Sequence, residues 1–454
     1  MADAAHLIGI GGAGMSPVAE LLAARGWAVS GSDARDSAVL DRLRAHGIDA
    51  HAGHDAAHVP DGALVVVSTA VRPTNPELVH ARERGLRVVH RSEALALAAQ
   101  GQELVAVAGA HGKTTTSAMI AVALTALGLD PSFAIGGEVL ALGTGAHLGT
   151  GRAFVAEADE SDGSFLNYRP AVAVVTNVEP DHLDHYGSRA AFEQAFVDFA
   201  GRVLPGGLLV ACADDAGGLA LARRVPGRVL TYGTVEAPLD GPHVRLLDVV
   251  TGPTGSRARL VTDDGDVPLE LAVGGEHNLL NATAAWCAGV AVGADPVAMA
   301  AALGTFTGTA RRFQARGEAG GVRVVDDYAH HPTEVAATLR TARLAAGEGR
   351  VIALFQPHLY SRTRTFAAEF ARALDTADEA VVTDVYAARE DPEPGVDGSL
   401  ITRTMERGRF VPDRVEAARA AARLARPGDL VLTVGAGDVT ELGPVILDEL
   451  AGRP

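Results

Sequence analysis

Three segments follow one another in Val105-Ala106-Val107-Ala108-Gly109-Ala110-His111-Gly112-Lys113-Thr114-Thr115: an apolar run, a glycine loop and the start of an Ala/Leu pattern. This order predicts a strand, a loop and a helix that continues to about Leu127. In such a loop, backbone N–H groups and the helix N-terminus can hold a phosphate. Lys113 would add a positive charge and the Thr114 hydroxyl could reach Mg²⁺.

The loop is a shortened form of the usual phosphate-binding signature. Its pattern is G-x-x-G-K-T, and Val107 stands where the longer signature has its first glycine. A pattern this short also fits an ordinary tight turn. The nucleotide interpretation therefore depends on the strand before the loop and the helix after it.

The composition is that of a globular protein with two or three domains, since 48% of its 454 residues are hydrophobic and 21% are charged. The formal charge of −17 argues against non-specific binding to nucleic acid or anionic membranes. Cys212 and Cys287 are too few for a disulfide framework or a cysteine metal site. The chain has no basic leader, and no apolar run approaches the ~18–20 residues of a membrane span. We therefore expect a cytoplasmic protein.

A second glycine-rich segment lies near the N-terminus. Gly9-Ile10-Gly11-Gly12-Ala13-Gly14 follows the predicted strand His6–Ile10 and precedes a helix predicted over Ser16–Arg25. Asp33 stands 19 positions beyond Gly14, at the end of the next predicted strand. By motif alone this is a Rossmann-like dinucleotide site, with a diphosphate at the helix N-terminus and Asp33 near a ribose.

The alternation of strand and helix patterns divides the chain into three units. We expect an α/β fold with domains at residues 1–100, 101–308 and 309–454. The first and third have the pattern of doubly wound, Rossmann-like sheets. In the second, residues 233–273 are rich in Gly, Pro, Asp and Thr and predict β-hairpins. The third includes a helix predicted over Thr365–Leu374.

Polar runs follow several of the predicted strands, where parallel sheets bind ligands. They are Glu157–Asp162, Asn177–His185, Asp326–Pro332 and Gln356–Arg362. Glu157 could hold a hard cation, and Arg362 is suited to a carboxylate. The first three runs also have simpler interpretations, as a solvated acidic loop, a capped turn and a helix cap respectively. The D-H-x-D-H pattern in the second run also fits a metal-dependent phosphohydrolase.

Together these motifs resemble the Mur ligase family over nearly the whole chain. The matching runs are Gly9–Ser16, Ser30–Asp33, Gly109–Thr115, Glu157–Asp162, Thr176–Tyr186, Gly275–Ala282, Arg311–Gln314, Asp326–Pro332, Phe355–Thr363 and Val434–Asp438. The resemblance implies a UDP-binding Rossmann-like N-terminal domain, a central P-loop-type ATPase domain with a mixed sheet and a Rossmann-like C-terminal domain. It also implies that the first glycine loop binds the UDP of a sugar nucleotide rather than NAD, with contacts from Gly11, Gly12, Asp33, Ser68 and Thr69.

The resemblance assigns roles to residues of the other two domains. The ATP phosphates would be held by Gly109, Ala110, His111, Gly112, Lys113, Thr114 and Thr115. Thr114 and Glu157 would hold one Mg²⁺, and His182 with Glu157 a second. His277 and Asn281 would lie by the adenine, Asp327 by the ribose and Arg312 by the phosphates. The incoming amino acid would be surrounded by Tyr328, His330, His358 and Arg362, with His330 as the candidate base. The residues implied in catalysis are Lys113, Glu157, His182, Arg312 and His330.

Three departures from the family pattern refine this interpretation. Ala110 replaces the usual Thr, a change we expect to be tolerated because backbone N–H groups do most of the phosphate binding. Sister ligases carry a carbamylated lysine about 14 residues after the histidine at 182, but this chain has Phe196 and no lysine nearby. This absence resembles the alanine-adding member. Leu359 replaces an Arg found in some relatives, so amino-acid anchoring should depend more on Arg362.

The implied reaction is ATP-dependent amide formation between UDP-N-acetylmuramate and L-alanine in cytoplasmic peptidoglycan precursor synthesis. It would pass through an acyl phosphate and give ADP and phosphate, and the protein would be a monomer or homodimer. Three alternatives stay open. They are a ligase that recycles whole peptides, an NAD(P)-dependent oxidoreductase suggested by the N-terminal glycines, and a nucleotide sensor without turnover.

Overall fold

The structure is a computed structural model that describes residues 3–237, 239–388 and 390–452, except for the side chains of residues 183 and 184. Asp184, in the polar run Asn177–His185, therefore has no described side chain. The chain forms three sheets and divides into two compact units. Unit 1 comprises Met1–Val249, Ala258–Glu270 and Leu279–Phe306, and unit 2 comprises Val250–Arg257, Leu271–Asn278 and Thr307–Pro454. The predicted α/β class with three sheet-containing regions is confirmed.

The first sheet lies in unit 1 and is parallel throughout, with the order β3-β2-β1-β4-β5. Its strands are β1 Ala4–Ile8, β2 Ala28–Asp33, β3 Asp49–Ala52, β4 Leu64–Val67 and β5 Val88–His90. Its helices are α1 Ser16–Ala24, α2 Ala38–Ala45, α3 Pro76–Glu83 and α4 Arg91–Ala98, with a 3₁₀ helix at Ala56–His58. The chain runs to opposite sides of β1 in β2 and β4, so a ligand crevice is expected at the carboxyl end of β1.

Strand β1 ends two residues earlier than its sequence pattern predicted. Gly9 adopts φ +79°, a left-handed conformation that favours glycine, and its N–H donates to Ser32 O at 2.8 Å. The glycine loop is therefore outside the strand. This places Gly11 and Gly12 in the connection to α1.

The second sheet has ten strands in the order β15-β14-β13-β12-β11-β10-β6-β9-β7-β8. They are β6 Glu103–Ala108, β7 Ser132–Val139, β8 Thr144–His147, β9 Ala153–Glu157, β10 Val172–Val175, β11 Leu208–Cys212, β12 Arg228–Gly233, β13 His243–Thr251, β14 Ser256–Thr262 and β15 Gly265–Leu271. The associated helices are α5 Lys113–Ala126, α6 Leu183–Tyr186, α7 Arg189–Ala200, α8 Ala216–Arg224, α9 Glu276–Ala291 and α10 Pro296–Leu303, with a 3₁₀ helix at Ser164–Asn167.

Strand β6 positions the phosphate loop. It pairs in parallel with β9 on one side and β10 on the other, so the loop after Ala108 emerges where the strand order reverses. Strands β7 and β8 are antiparallel, which makes the sheet mixed as predicted. Strands β13 to β15 fall within or beside residues 233–273, the region where the sequence predicted hairpins.

The third sheet lies in unit 2 in the order β16-β17-β21-β18-β19-β20, with only its β16–β17 pair antiparallel among the described strands. Its strands are β16 Gln314–Ala319, β17 Val322–Asp327, β18 Val351–Phe355, β19 Glu379–Val382, β20 Gly408–Phe410 and β21 Leu430–Val434. Its helices are α11 Pro332–Ala346, α12 Tyr360–Leu374, α13 Ser399–Thr402, α14 Arg414–Leu424 and α15 Gly443–Ala451, with a 3₁₀ helix at Asp438–Leu442.

Helix α12 begins at Tyr360, five residues before the predicted start at Thr365. The backbone at Phe366 departs from helical geometry (φ −115°, ψ 17°), so a short first segment joins the longer helix across a kink. Arg362 therefore lies on a helix and is 5% exposed, rather than on an open loop. Within the described residues, no helix is long and apolar enough to cross a membrane.

Candidate active site

The phosphate loop requires glycine at two positions. At Gly109 (φ +137°) an added Cβ would lie 2.1 Å from Thr176 Oγ1, and at Gly112 (φ +83°) it would lie 2.5 Å from Asn281 Oδ1. Each glycine therefore allows a neighbouring polar side chain to approach the loop backbone closely. Helix α5 begins at Lys113, with its first N–H groups facing the loop. This arrangement fits a bound anion.

Lys113 is held over its own loop. Its Nζ donates to Gly109 O at 2.7 Å and to Ala110 O at 3.3 Å, and lies 2.9 Å from Glu160 Oε2. Burial lowers the pKa of Lys113, but the charges of Glu160, Asp159 and Glu157 together outweigh this effect and raise the pKa above its usual value. Burial raises the pKa of Glu160 to about 7, against the opposing effect of Lys113. We infer that the pair is ionic, because loss of the Lys113 proton to solvent would leave the charge of the buried Glu160 carboxylate without a partner.

Thr114 and Glu157, the two residues predicted to hold a Mg²⁺, lie together beside the loop. The Thr114 hydroxyl donates to Glu157 Oε1 at 2.9 Å, and the Gly136 N–H donates to Glu157 Oε2 at 2.9 Å. Strand β9 ends at Glu157, so the carboxylate lies at the carboxyl edge of the sheet. A hydroxyl and a carboxylate are hard oxygen donors of the kind that Mg²⁺ prefers. The two side chains therefore fit this cation.

His182 lies against carboxylates other than Glu157. Its Nε2 is 3.7 Å from Glu160 Oε1 and 3.5 Å from Asp181 Oδ2. Its φ is +53°, which is uncommon for a residue with a side chain. The predicted second metal site, shared by His182 and Glu157, stays a prediction.

Two side chains at the end of β10 hold the phosphate loop, and the sequence analysis did not single them out. Asn177 Oδ1 accepts from the His111 N–H at 2.9 Å, and its Nδ2 donates to His111 O at 3.0 Å. The Thr176 hydroxyl donates to the same carbonyl at 2.5 Å. These contacts fix the loop before any ligand binds, which lowers the entropy cost of binding. Their position directly after a central apolar strand was the sequence signal that could have identified them.

The two predicted adenine residues lie on helix α9. Asn281 is buried and contacts Gly112, so it supports the phosphate loop directly. Burial lowers the pKa of His277 to about 4, which keeps its imidazole neutral at pH 7. A neutral ring is suited to stacking or hydrogen bonding with a base. The contact of both residues with adenine stays a prediction.

In the N-terminal sheet, Asp33 fixes the first glycine loop. Its Oδ2 accepts from the Gly11 N–H at 3.0 Å and its Oδ1 from the Ala34 N–H at 2.7 Å. Ser68 and Thr69 follow the end of β4, the neighbour of β1, and are half-buried and exposed. All of these residues lie at carboxyl ends of parallel strands. They therefore lie where a sugar nucleotide is expected to bind.

Four predicted amino-acid-binding residues come together in unit 2. Ring centroids are 5.3 Å apart for Tyr328 and His330 and 5.9 Å apart for His330 and His358. Arg362 Nη1 lies 3.4 Å from His358 Nδ1. Tyr386, which the sequence did not single out, stacks on His358 at 5.8 Å. The cluster combines aromatic surface with a buried guanidinium, which suits a small amino acid with a carboxylate.

The arginine pair before β16 has two different environments. Arg311 donates to Gly435 O at 2.7 Å and Gly437 O at 3.0 Å, so it supports the loop after β21. The Arg312 guanidinium lies 5.2 Å from the Tyr328 ring centroid, with Nη1 3.9 Å from Glu334 Oε1. Of the two, Arg312 is the better placed for a ligand.

Asp327 and His330 make contacts that constrain their predicted roles. Asp327 Oδ2 accepts from the Phe313 N–H and its Oδ1 from the Ala329 N–H, both at 2.8 Å, and burial raises its pKa. His330 Nδ1 lies 3.3 Å from Glu334 Oε2. A carboxylate beside one ring nitrogen can orient the imidazole.

Three family models match successive parts of the chain. The Mur ligase family catalytic domain matches residues 4–103, the Mur ligase middle domain 107–289, and the Mur ligase glutamate ligase domain 311–437.

The chain belongs to the Mur ligase family.

Curated relatives within this family match over the whole length. The chain is 60% identical over 460 residues to the UDP-N-acetylmuramate--L-alanine ligase of Kineococcus radiotolerans, covering 99% of this chain and 96% of that protein. It is 56% identical to the Renibacterium salmoninarum protein of the same name, covering 98% and 96%.

Solved Mur ligase structures share the fold. A UDP-N-acetylmuramate-alanine ligase from Thermotoga maritima superposes with a TM-score of 0.82 at 30% identity, covering 99% of both chains. A murein peptide ligase from Psychrobacter arcticus gives a TM-score of 0.74 at 25% identity, covering 100% of this chain and 99% of that one. The similarity therefore includes both the alanine-adding and the peptide-adding branches.

A core phenylalanine stands at the position where a carbamylated lysine would be expected. Phe196 is fully buried, with its ring centroid 5.4 Å from Phe165 and 5.1 Å from Phe192. Lys113 is moreover the only lysine among the 454 residues. This Mur ligase therefore has no second lysine that could carry a carbamate.

Proposed function

We infer that this Mur ligase joins L-alanine to the carboxylate of UDP-N-acetylmuramate, using ATP and releasing ADP and phosphate, in peptidoglycan precursor synthesis. The observation that carries the inference is the 60% identity, over 99% of the chain, to a UDP-N-acetylmuramate--L-alanine ligase. The loop around Lys113 supports the inference, because its glycines and the N-terminus of α5 suit a bound phosphate. The single lysine of the chain is consistent with the alanine-adding branch.

The proposed reaction proceeds in two steps. A carboxylate oxygen attacks the γ-phosphorus of ATP, so an O–P bond forms, the bond to ADP breaks and an acyl phosphate results. The neutral amine of L-alanine then attacks the acyl carbon, the C–N bond forms, and phosphate leaves as the amine loses a proton. Positioning and charge neutralisation account for most of the catalysis of phosphoryl transfer.

Lys113 and the loop amides act on the transferring phosphoryl group. The ammonium ion, which contacts Gly109 O and Glu160, lies at the loop where the phosphate is proposed to bind. The remaining loop residues, Ala110, His111, Gly112, Thr114 and Thr115, contribute backbone N–H groups. Arg312 is proposed as a second positive group on the phosphates.

We propose Mg²⁺ at Thr114 and Glu157, whose hydroxyl and carboxylate already lie within hydrogen-bonding distance of each other. The bound cation supplies positive charge that neutralises the phosphate oxygens. His182, beside Glu160 and Asp181, is the candidate for a second cation with Glu157. His277 and Asn281 are proposed to contact adenine, and Asp327 the ribose.

The two other substrates would use the first glycine loop and the aromatic cluster of unit 2. Gly11, Gly12, Asp33, Ser68 and Thr69 are proposed to bind the UDP of UDP-N-acetylmuramate. For L-alanine, Arg362 would bind the carboxylate, Tyr328 and His358 would enclose the side chain, and His330 would accept the amine proton. We propose that the protein is cytoplasmic and that it is a monomer or homodimer.

Phosphate release tests this function directly. The purified chain is assayed with ATP, UDP-N-acetylmuramate and either L-alanine or the stem peptide used by peptide-recycling ligases. We expect release only when ATP, the sugar nucleotide and L-alanine are all present. Release driven by the peptide but not by alanine would assign the chain to the other branch. Binding of NAD in preference to UDP would favour the oxidoreductase interpretation.

A further inference from the structure

Arg91 lies between the two nucleotide-binding loops of unit 1. It is the first residue of α4, directly after β5. An added Cβ at Gly14 would lie 2.7 Å from Arg91 Nη1, so the guanidinium covers the first glycine loop. On its other side, Arg91 Nη2 donates to Asp159 Oδ2 at 2.6 Å. Neither the family matches nor the predicted sites assign this residue a role.

The ion pair is part of a larger contact between the start of α4 and the chain that follows β9. His90 Nε2 lies 3.4 Å from Asp162 Oδ2, and Asn167 Nδ2 donates to Ser92 Oγ at 2.8 Å. Carboxylates at a helix N-terminus are favoured by the helix dipole. His90 and Arg91 thus hold the acidic run beside the first sheet, and Ser92 holds Asn167 in the segment after it.

The acidic run connects this contact to the ATP loop. Asp159 is adjacent to Glu160, whose carboxylate pairs with Lys113. The charge of Asp159 also contributes to raising the pKa of Lys113. A change in the position of Arg91 would therefore change the electrostatic field at Lys113.

Next to Arg91, the first glycine loop has backbone N–H groups that can bind an anion. Within residues 3–237, neither the Ala13 N–H nor the Gly14 N–H meets an acceptor. Helix α1 begins at Ser16 without a side-chain cap. The Arg91 side chain is 22% exposed, so solvent and ligand can reach it. Guanidinium and backbone N–H groups together form a strong phosphate-binding combination.

We propose that Arg91 binds the diphosphate of the sugar nucleotide and couples that binding to the ATP loop through Asp159. This rests on the proposed function, since it assumes that the first glycine loop binds UDP-N-acetylmuramate. When the guanidinium engages the diphosphate, its interaction with Asp159 weakens and the field at Glu160 and Lys113 changes. Occupancy of one nucleotide site thereby alters affinity at the other, and thermodynamic linkage requires the effect to be reciprocal.

Calorimetry with UDP-N-acetylmuramate, with and without a non-hydrolysable ATP analogue, tests the proposal. Arg91→Ala is expected to raise the Kd for UDP-N-acetylmuramate about tenfold or more, as loss of a charge-assisted phosphate contact does. Arg91→Lys should restore part of the affinity, because it keeps the charge but loses the planar fork. Asp159→Asn should bind the sugar nucleotide well but lose the effect of the ATP analogue on its Kd.

Arg84→Ala is the matched control, because Arg84 Nη2 lies 2.7 Å from Asp61 Oδ1 in the same domain but is away from the glycine loop. Its Kd should equal that of the unmodified protein. An unchanged Kd in Arg91→Ala, or full coupling in Asp159→Asn, would overturn the proposal. If Arg91→Ala does not fold, the Lys and Asn variants still decide the matter. Alanine-dependent turnover by the unmodified protein separates these outcomes from failure of the proposed function.

Discussion

Lys113 and Glu160 form an ion pair beside the phosphate loop, with Nζ 2.9 Å from Oε2 and the Glu160 side chain 1% exposed. The same ammonium ion donates to Gly109 O at 2.7 Å. Lys113 is therefore held over its own loop by a carbonyl oxygen and a buried carboxylate. In the proposed function, ATP competes with this carboxylate for the ammonium ion, so we expect Glu160 to control the availability of Lys113.

Removal of the Lys113 amine should stop phosphoryl transfer. Lys113→Ala loses the positive group that faces the transferring phosphoryl oxygens, and we expect alanine-dependent phosphate release to fall by roughly 10²–10³-fold. Binding of UDP-N-acetylmuramate, measured by calorimetry, should be retained because the first glycine loop is intact. Full phosphate release by Lys113→Ala would refute the assignment of the loop.

Glu160 should control the reactivity of Lys113 towards amine reagents. Since Lys113 is the only lysine in the chain, labelling of a lysine reports on it alone. Burial lowers its pKa and Glu160 raises it, so Glu160→Gln leaves burial unopposed by this carboxylate and increases the neutral amine fraction. Peptide mass spectrometry should show faster labelling in this variant at pH 8.

The control for this experiment is Glu20→Gln, which removes a half-buried carboxylate on α1 that is paired with Arg42 at 3.0 Å. Its Lys113 labelling rate should match that of the unmodified protein. Equal rates in all three proteins would show that Glu160 does not hold the ammonium ion.

Glu157 should set the magnesium requirement. Glu157→Gln keeps the shape of the side chain and can still accept from Thr114, but it loses the charge that a hard cation needs. We expect the Mg²⁺ concentration for half-maximal phosphate release to rise by about tenfold or more. Glu103→Gln, at the opposite end of the neighbouring strand β6, should titrate normally. A Mg²⁺ titration unchanged by Glu157→Gln contradicts the proposed site.

A buried carboxylate supports the first sheet. Glu77 is fully buried on α3, where its Oε2 accepts from the Ser32 hydroxyl at 2.5 Å and its Oε1 from the Asp55 N–H at 3.1 Å. Three imidazole nitrogens also lie within 3.5 Å of this carboxylate, those of His6, His54 and His58. Burial alone would raise its pKa, but the contacts with His6 and Ser32 outweigh it and lower the pKa of Glu77 to about 2.

This shift makes stability depend on pH. Because the folded-state pKa is depressed, the contribution is present above the unfolded value near 4.5 and is lost as pH falls towards 2. A shift of this size corresponds to about 3 kcal/mol. Glu77→Gln should therefore be less stable than the unmodified protein at pH 6, with the difference in melting temperature shrinking between pH 4.5 and 2.

Glu83→Gln, on the exposed end of the same helix, is the control and should melt like the unmodified protein at every pH. A constant difference between Glu77→Gln and the unmodified protein from pH 6 to pH 2 would contradict the role of the Glu77 charge.

Local sequence patterns predicted the elements that depend on neighbouring residues. The alternation of apolar runs and helical patterns indicated the α/β class. The segment Val105–Thr115 indicated a strand, a phosphate loop and a helix because all three are encoded within a few residues. The sequence also predicted that Thr114 and Glu157 lie close together. Both stand at or just after the end of a strand in the same sheet, and the carboxyl ends of parallel strands share one edge.

Features that depend on contacts across the sheet were missed. The acidic run Glu157–Asp162 gave no indication of which carboxylate pairs with Lys113, because that depends on how the chain turns after β9. Arg91 was overlooked because its partner Asp159 is 68 residues away. The early start of α12 also escaped detection, since a kink at Phe366 separates its first turn from the regular helical pattern.

The most direct test of the central claim is mass spectrometry of the product formed from ATP, UDP-N-acetylmuramate and a mixture of amino acids and stem peptide. The proposed function predicts a single new species, the sugar nucleotide carrying one alanine in amide linkage, formed in step with ADP and phosphate. A product carrying the peptide, or ATP hydrolysis without any acylated product, would contradict it.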